Sequence, residues 1–265
     1  MSDTTPADAP PTTHARFSDG VLELTLSYPR RRNALAMELR EALIAHLERG
    51  LADPECRAII LTGEDGHFCA GGDISGMGRP TAMQGRRRMM SGHRMVRLLV
   101  EGEKPVIAAV EGHAAGAGIS MAAACDIVVA SREAVFTCSF NKVGLVPDLG
   151  AAWTVSRRIG LGRSKMLMML GEPLSGEAAA GLGLVDQLAE PGKALEAARD
   201  MARRIAARSP LSNAMTKTLL NRTTGTLGES LQAEADIQGL LYASEDFVEG
   251  SSAFLEKRQP AFRGG

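Results

Sequence analysis

The chain has 265 residues, of which 45% are hydrophobic and 23% charged, and its formal net charge at pH 7 is -1. This length can bury a sizeable core, either as one large domain or as a core with an accessory piece. The near-neutral charge excludes a global field that would attract nucleic acid or an anionic membrane, so an anionic ligand must be held by local charges.

The sequence offers no membrane segment and no disulfide framework. No apolar run approaches the roughly 20 residues that a membrane-spanning helix needs. Residues 1–15, MSDTTPADAPPTTHA, lack a basic start followed by an apolar stretch, and we interpret them as a disordered leader. The four cysteines have no CxxC spacing, which predicts reduced, buried thiols in a cytoplasmic protein and no metal site: Cys56, Cys69, Cys125 and Cys138.

The first elements are a strand and a helix. Val21–Leu26 alternates apolar with other residues, which predicts a strand. Asn33 is placed to cap a helix that ends at Gly50, with apolar positions every four residues: Leu35, Leu39, Leu43 and Leu47. The basic run Arg30–Arg32 precedes this cap. Such a run is either a solvated surface or a phosphate site, and the sequence leaves both open.

A strand followed by a glycine-rich turn comes next. Cys56–Thr62 is apolar and typical of a buried strand, and it leads into the turn Ala70, Gly71 and Gly72. Asp73 then has the character of a helix cap.

The same arrangement recurs further along the chain. Val106–Val110 predicts a strand buried on both faces, and the small residues around Gly116 and Gly118 predict a turn that runs into a helix. The start of a helix offers unpaired N–H groups. Two such turns can each donate one N–H to the same oxygen and form an oxyanion hole. Tight packing of helix on strand is the alternative reading of the small residues.

The remaining segments complete an α/β pattern with a helical C-terminal region. Residues 81–103 read as an amphipathic helix rich in Met and Arg, on which His93 is ambiguous between an ordinary and a catalytic histidine. Ser156–Leu170 predicts one helix, GLGLVDQL a short strand and Ala194–Arg208 a further helix. We therefore expect an α/β core over residues 16–200 and a helical region over residues 201–265.

Several motifs resemble one family. HFCAGGDI, PVIAAVEGHAAGAGISMAAACD, FNKVGLVPDLGAAW, GLGLVD and FLEKRQPAF together resemble the crotonase superfamily, also called the enoyl-CoA hydratase/isomerase family. The resemblance extends from about Phe17 to Phe262. It implies a spiral core of repeated strand-strand-helix turns and a C-terminal helical region used for trimer formation. It also implies a homo-oligomer, a trimer or a hexamer.

The resemblance also implies an acyl-CoA thioester substrate, with coenzyme A as part of the substrate and no separate cofactor or metal. Ala70 and Ala117 match the two positions whose backbone N–H groups hold the thioester oxygen. Other positions are implied to contact the substrate: Arg30, Arg31, Phe68, Gly71, Gly72, Asp73, Ser120, Phe140, Phe254 and Lys257. Phe254 and Lys257 often act from a neighbouring subunit in this family.

The departures from the family pattern are at the acidic positions. Hydratases carry two glutamates where this chain has Ser120 and Phe140. Asp148 follows Pro147, at the position where several isomerases of the family carry an acidic residue, and SFNKVGLVPD resembles the phenylacetate-pathway isomerases most closely. Asp148 is alternatively a helix cap. The residues thus favour an enoyl-CoA isomerase with Asp148 as the acid-base group.

Three other functions stay open. Asp148 and Ser120 could position a water for hydration of an enoyl-CoA. Asp148 and His93 also match the nucleophile and histidine of aryl-CoA dehalogenases in the family. The third possibility is a non-catalytic CoA-binding or assembly protein that kept the fold without the glutamates.

Overall fold

The computed structural model describes residues 10–75, 78–222 and 225–265. Within these ranges, nine strands form two sheets. Their bounds are β1 Thr12–Ser18, β2 Val21–Ser27, β3 Ala58–Gly63, β4 Val106–Val110, β5 His113–Ala115, β6 Ile127–Ser131, β7 Val135–Thr137, β8 Pro173–Ser175 and β9 Gln187–Ala189. The main sheet has the order β1-β2-β3-β4-β6-β9 and the smaller sheet the order β5-β7-β8.

Ten α-helices lie within the described residues. Their bounds are α1 Met37–Ala52, α2 Ala82–Glu101, α3 Ala117–Ala124, α4 Ala151–Ile159, α5 Leu161–Leu170, α6 Gly176–Leu182, α7 Ala194–Ala206, α8 Pro210–Arg222, α9 Leu227–Tyr242 and α10 Glu245–Glu256. Two short 3-10 helices cover Pro29–Arg31 and Ser139–Val143. None of the helices in the described ranges is both long and apolar enough to span a membrane.

The main sheet is buried on both faces. β1 and β2 form an antiparallel hairpin, and β2, β3, β4, β6 and β9 pair in parallel through helical crossovers. Because successive side chains of a strand point to opposite faces, alternate residues of β3 join different clusters. Ile59 and Leu61 enter the main core, whereas Ala58 and Ile60 pack with the alanine stripe of α7. This accounts for the continuous apolar runs of β3 and β4.

α3 is buried along its whole length and lies in the main core next to β5 and α4. Its sequence, AGISMAAA, consists mostly of small side chains, which permit this close packing. The alternation of strands and helices, with the helical region at the C-terminus, confirms the predicted α/β class. The predicted strands at Val21–Leu26 and Val106–Val110 and the helices around α2 and α7 are confirmed.

Four boundaries predicted from the sequence are wrong. β1 begins at Thr12, so residues 12–15 belong to the main sheet and not to a disordered leader, while residues 1–9 lie outside the described residues. α1 begins at Met37, not after Asn33, and it continues through Gly50 to Ala52. Gly50 is buried within the helix. An added Cβ would clash with a methyl group of Leu22, so glycine lets α1 pack closely at this point.

The fourth wrong boundary is the single helix predicted for Ser156–Leu170. Gly160, with a φ of 78°, separates α4 from α5. A positive φ is strained for other residues but not for glycine, so the chain changes direction here.

The four cysteines confirm the prediction of free, buried thiols. Burial raises the pKa of the Cys69 and Cys125 thiols to about 12. These thiols therefore stay protonated at neutral pH.

Candidate active site

Two turns lie side by side above the main sheet. Cys69 and Ala114 form a parallel bridge, in which the Cys69 N–H donates to His113 O and the Ala115 N–H donates to Cys69 O, both at 2.9 Å. A Cβ added to Gly116 would lie 3.6 Å from the Cα of Gly71. The fold thus brings together the two glycine-rich turns that the sequence indicated.

The second turn delivers the start of α3. Gly116 precedes the helix with a φ of 50° and a ψ of -113°, a conformation that favours glycine. Ala117 is the first residue of α3, so its N–H has no acceptor within the helix. Gly118 must be glycine, because a Cβ there would lie 2.2 Å from Cys69 O. The close approach of Gly118 to Cys69 fixes the distance between the two turns.

The Ala70 N–H is not free. It donates a 2.9 Å hydrogen bond to the carbonyl oxygen of Arg32. Two open N–H donors were expected. Within the described residues the Ala117 N–H has no acceptor, whereas the Ala70 N–H is paired. A thioester oxygen can take the Ala70 N–H only in exchange for Arg32 O.

Asn33 fixes the turn that carries Arg32. Its side chain is fully buried, accepts from the Tyr28 N–H at 2.9 Å and donates to Glu64 O at 2.9 Å and to His67 O at 2.7 Å. Arg32 and Asn33 both have positive φ values, 48° and 57°. The side chain that the sequence assigned to a helix cap instead joins the Arg30–Arg32 loop to the loop before Phe68.

The positions next to these turns differ in exposure. Arg30 and Arg31 are exposed on the first 3-10 helix. Phe68 is fully buried in the main core, and its role as a substrate contact remains a prediction. Gly71 is buried and Gly72 is exposed.

Asp73 does not cap a helix. Its carboxylate accepts from the Ser75 N–H at 3.0 Å and from the Ser75 hydroxyl at 2.7 Å. These hydrogen bonds, the side-chain one first, hold the pKa of Asp73 below its usual value. α2 begins only at Ala82, where Thr81 and Gln84 form a reciprocal capping box. The main-chain oxygen of Asp73 accepts from the Arg88 guanidinium at 3.5 Å.

Neither glutamate position of the hydratases carries a polar group open to the site. Ser120 is fully buried and its hydroxyl donates to Gly116 O at 3.1 Å. Phe140 lies in the second 3-10 helix and is 8% exposed. Phe140 therefore packs in the main core, and the Ser120 hydroxyl is satisfied within the first turn of α3.

Asp148 does not cap α4. The helix begins at Ala151 after Gly150, with no side-chain hydrogen bond at its cap. Oδ1 of Asp148 is buried and, within the described residues, has no hydrogen-bond partner. Burial raises the pKa of Asp148 above its usual value, while the charges of Arg88, His93 and Arg40 oppose the rise. A carboxyl group in this state is suited to exchanging a proton with a ligand.

Two groups that interact electrostatically with Asp148, Cys138 and Arg88, lie next to residues of the two turns. Burial, and then the charge of Asp148, raise the pKa of the Cys138 thiol to about 11. Cys138 follows Thr137, whose carbonyl oxygen accepts from the Gly116 N–H at 2.9 Å. Arg88 also acts on Asp148 through its charge, and its guanidinium donates to the main-chain oxygen of Asp73.

Sequence reasoning missed two cations of this environment, Arg40 and Arg88. Arg40 is buried although it is charged, with 4% of its surface exposed. The sequence contained a signal for this burial. Arg40 lies four residues before Ile44 and next to Leu39, so its side chain is on the buried face of α1. Arg88 is part of the basic run on α2, which gives no sign of which arginine turns inward.

His93 is exposed and lines an open groove of about 260 Å³ between α2 and α4, together with Val96, Gly150 and Trp153. It acts on Asp148 through charge, and the structure gives no hydrogen bond between them within the described residues. The dehalogenase arrangement of Asp148 and His93 around one ligand remains a prediction.

Phe254 and Lys257 lie at the C-terminal end of α10. Phe254 is 83% exposed, and Lys257 follows the helix in a left-handed conformation. α10 packs mainly on α9. Their predicted role at a CoA site of a neighbouring subunit remains a prediction.

Comparison with known proteins shows similarity to one family over most of the chain. Residues 16–265 match the family model "Enoyl-CoA hydratase/isomerase". The chain is 38% identical to 1,2-epoxyphenylacetyl-CoA isomerase of Escherichia coli K12 over 92% of this chain and 95% of the relative. It is 33% identical to crotonyl-CoA hydratase of Syntrophomonas wolfei over 90% of this chain and 93% of the relative.

The crystal structure of an enoyl-CoA hydratase from Polaromonas sp. JS666 superimposes with a TM-score of 0.90 at 38% identity and covers 95% of this chain and 99% of that one. The match of fold and sequence extends over nearly the whole chain, including both glycine-rich turns and the Asp148 segment. The chain belongs to the enoyl-CoA hydratase/isomerase family, the crotonase superfamily.

Proposed function

We propose that the protein is an enoyl-CoA isomerase that moves a double bond in an acyl-CoA thioester, with Asp148 as its single acid-base residue. One observation carries the proposal: the Asp148 carboxyl group has a buried oxygen without a partner in the described residues, while neither Ser120 nor Phe140 supplies a carboxylate. The similarity to an isomerase at 38% identity supports it.

The reaction needs one proton removed and one returned. The Asp148 carboxylate removes a proton from the carbon next to the thioester of a 3-enoyl-CoA, and the electron pair moves onto the thioester oxygen. The N–H groups of Ala70 and Ala117 stabilise this oxyanion. The protonated Asp148 then delivers its proton two carbons along, and the double bond moves next to the thioester.

The environment of Asp148 suits both proton transfers. Burial raises its pKa towards the range useful for general acid-base catalysis, and the nearby arginines keep the ionised form accessible. Apolar side chains in the loop before Asp148 are exposed, with Val143 at 57%, Leu145 at 52% and Val146 at 78%. They offer an apolar surface for an acyl group, which would help to exclude water from the dienolate.

The proposal includes the CoA moiety and the assembly. Arg30 and Arg31 are exposed where they can contact CoA phosphates, and Lys257 would add a cation from a neighbouring subunit. α9 has no buried residue in the described protomer, although many of its side chains are apolar. We expect a trimer or a hexamer in light scattering, and a monomer at micromolar concentration would contradict this part.

Asp148→Asn tests the role of the carboxyl group. Asparagine keeps the size of the side chain but removes the base, so kcat for isomerisation of a 3-enoyl-CoA should fall at least about a hundredfold. Asp200→Asn, on the exposed surface of α7, is the matched control and should keep the wild-type rate. An unchanged kcat in Asp148→Asn would refute the acid-base assignment.

Hydration of a 2-enoyl-CoA is the alternative, favoured by the similarity to hydratases such as the Syntrophomonas enzyme. Hydration needs a held water molecule, and Phe140 supplies no polar group to hold one. Phe140→Glu should therefore raise the rate of water addition, whereas Phe140→Gln, of similar shape but without the charge, should not. Rapid hydration by the wild-type protein would favour the alternative.

A further inference from the structure

Arg40 is a buried cation that the fold does not satisfy. It lies on the core-facing side of α1 with 4% of its surface exposed. Removing a guanidinium from water is costly unless the group is paired. Burial is also the main reason why the pKa of Arg40 lies below its usual value.

The contacts of Arg40 do not compensate for this burial. Nη1 donates to the carbonyl oxygen of Arg88 at 3.3 Å, and Nη2 lies 2.6 Å from the sulfur of Met37. Nε is buried and has no hydrogen-bond partner within the described residues. No carboxylate of the described residues forms an ion pair with Arg40 within 4 Å.

Lys217 shows what a structural cation looks like in the same fold. It is 7% exposed. Its ammonium pairs with Asp126 at 2.7 Å and donates to Leu99 O at 2.7 Å and to Lys104 O at 3.0 Å. The two buried cations thus differ: Lys217 is fully paired with protein groups, whereas Arg40 retains a free donor.

Gly92 places the Arg40 guanidinium beside the Asp148 turn. A Cβ on Gly92 would lie 3.3 Å from Arg40 Nη1 and 2.6 Å from a methyl group of Leu149, the residue after Asp148. The absence of a side chain on α2 at this point therefore lets the α1 arginine and the Asp148 turn approach the same position.

Two buried polar atoms of opposite character, each without a hydrogen-bond partner in the described residues, lie in this part of the fold, although they do not pair with each other. Nε of Arg40 is a donor without an acceptor, and Oδ1 of Asp148 is an acceptor without a donor. The charged or titratable groups that act on Asp148 are Arg40 from α1, Arg88 and His93 from α2, and Cys138 from the segment before the second 3-10 helix. Arg40 itself is influenced by Arg88, Glu41 and Asp148.

We propose that Arg40 is a positioning residue of Asp148: its buried guanidinium, which lies beside the Asp148 turn without forming an ion pair in this structure, attracts the inner oxygen of the carboxylate, helps to hold the carboxylate in its ionised form and leaves the outer oxygen for the substrate proton. This inference rests on the proposed isomerase function. It assigns a role to the unsatisfied donor of Arg40, which packing alone does not explain.

The test compares charge removal with charge retention. Arg40→Met and Arg40→Gln remove the charge, Arg40→Lys keeps it, and Lys217→Met removes a buried cation remote from Asp148. For each variant the pH dependence of kcat is measured, together with the titration of the Asp148 carboxyl carbon by 13C NMR, assigned through Asp148→Asn. Circular dichroism identifies the variants that fold, and Arg40→Gln serves if Arg40→Met does not.

Loss of the Arg40 charge should raise two midpoints by about one pH unit or more: that of the acidic limb of the pH profile of kcat, and that of the NMR titration of Asp148. An opposite charge near a carboxylate has an effect of this size. Arg40→Lys should restore most of the wild-type profile, and Lys217→Met should lower stability without moving either midpoint. Unchanged midpoints in the charge-removal variants would overturn the proposal. If the wild-type protein moves no double bond, the isomerase proposal fails, and the NMR titration still decides the relation between Arg40 and Asp148.

Discussion

The N–H of Ala70 donates to the carbonyl oxygen of Arg32 at 2.9 Å. This hydrogen bond connects the loop of exposed arginines to one of the two proposed oxyanion donors. The Ala117 N–H, at the start of α3, has no such internal acceptor within the described residues. The two donors therefore differ, because in this structure the protein itself satisfies the Ala70 N–H.

Binding of an acyl-CoA should transfer the Ala70 N–H from Arg32 to the thioester oxygen. A crystal structure with a saturated acyl-CoA, which cannot isomerise, should place this oxygen within about 3 Å of the nitrogens of both Ala70 and Ala117. Arg32 O should lie beyond hydrogen-bond distance. An oxygen that contacts Ala117 alone, with the Arg32 bond intact, would exclude Ala70 from the hole.

Asn33→Ala should loosen the Arg30–Arg32 loop. The change removes the hydrogen bonds of the Asn33 side chain to the Tyr28 N–H and to the carbonyl oxygens of Glu64 and His67, of which Glu64 O still accepts from the His67 N–H at 3.3 Å. We expect a loss of about 2–4 kcal/mol in the free energy of unfolding, since buried polar groups left unsatisfied cost about 1–3 kcal/mol each. KM for the acyl-CoA should rise because the loop carries the proposed phosphate contacts.

Urea unfolding and steady-state kinetics measure both effects. Asn213→Ala is the matched control, since Asn213 donates to Ile205 O at 3.3 Å in the C-terminal helical region. It should cost less stability and leave KM unchanged. Equal effects of the two substitutions on KM would argue against a specific role of the Asn33 loop.

Gly118→Ala should separate the two turns. The added Cβ would lie 2.2 Å from Cys69 O, which is backbone and cannot move aside without shifting the bridge to Ala114. We expect a loss of about 1–3 kcal/mol, as for other overpacked sites, and a lower kcat. Gly181→Ala in α6, where an added Cβ meets nothing within 4 Å, should be neutral or stabilising. Wild-type kcat in Gly118→Ala would contradict the need for this spacing.

Asp148→Asn should stabilise the protein at neutral pH. The pKa of Asp148 is raised in the folded state, so the stability of the wild-type protein falls as the pH rises from the unfolded value, about 3.9, through the folded one. At pH 7 the penalty for the buried charge is fully present, and asparagine removes it. Differential scanning calorimetry should show a higher Tm for the variant at pH 7.

The gain in Tm should shrink as the pH falls and should vanish below about pH 3, where the wild-type carboxyl group is protonated in both the folded and the unfolded state. The exposed Asp200→Asn should show no comparable gain. A lower Tm of Asp148→Asn at pH 7 would mean that the carboxylate stabilises the fold, as a helix cap would.

The sequence predicted the parts of this molecule that depend on local pattern. Val106–Val110 is a buried strand because its apolar run leaves no polar face. The second glycine-rich turn follows from Gly116 and Gly118, whose conformation or close contacts exclude larger residues. Asn33 was misjudged because its side chain can cap a helix or bind distant carbonyl groups, and the choice depends on the loop around His67.

Arg40 and Arg88 were missed for a different reason. Arg40 was not considered because arginines are seldom buried, although it lies four residues before Ile44 on the buried face of α1. The pairing of Ala70 with Arg32 depends on a tertiary contact between segments 38 residues apart in the chain. Neither relation has a signature within a single helix or strand.

The most direct test of the account is product identification with the wild-type protein. A 3-enoyl-CoA and a 2-enoyl-CoA are incubated separately, and the products are identified by ultraviolet absorbance and mass. The account predicts that the 3-enoyl-CoA becomes a conjugated 2-enoyl-CoA of unchanged mass, and that this conversion is lost in Asp148→Asn. Rapid addition of one water to the 2-enoyl-CoA, with no movement of the double bond in the 3-enoyl-CoA, would contradict it.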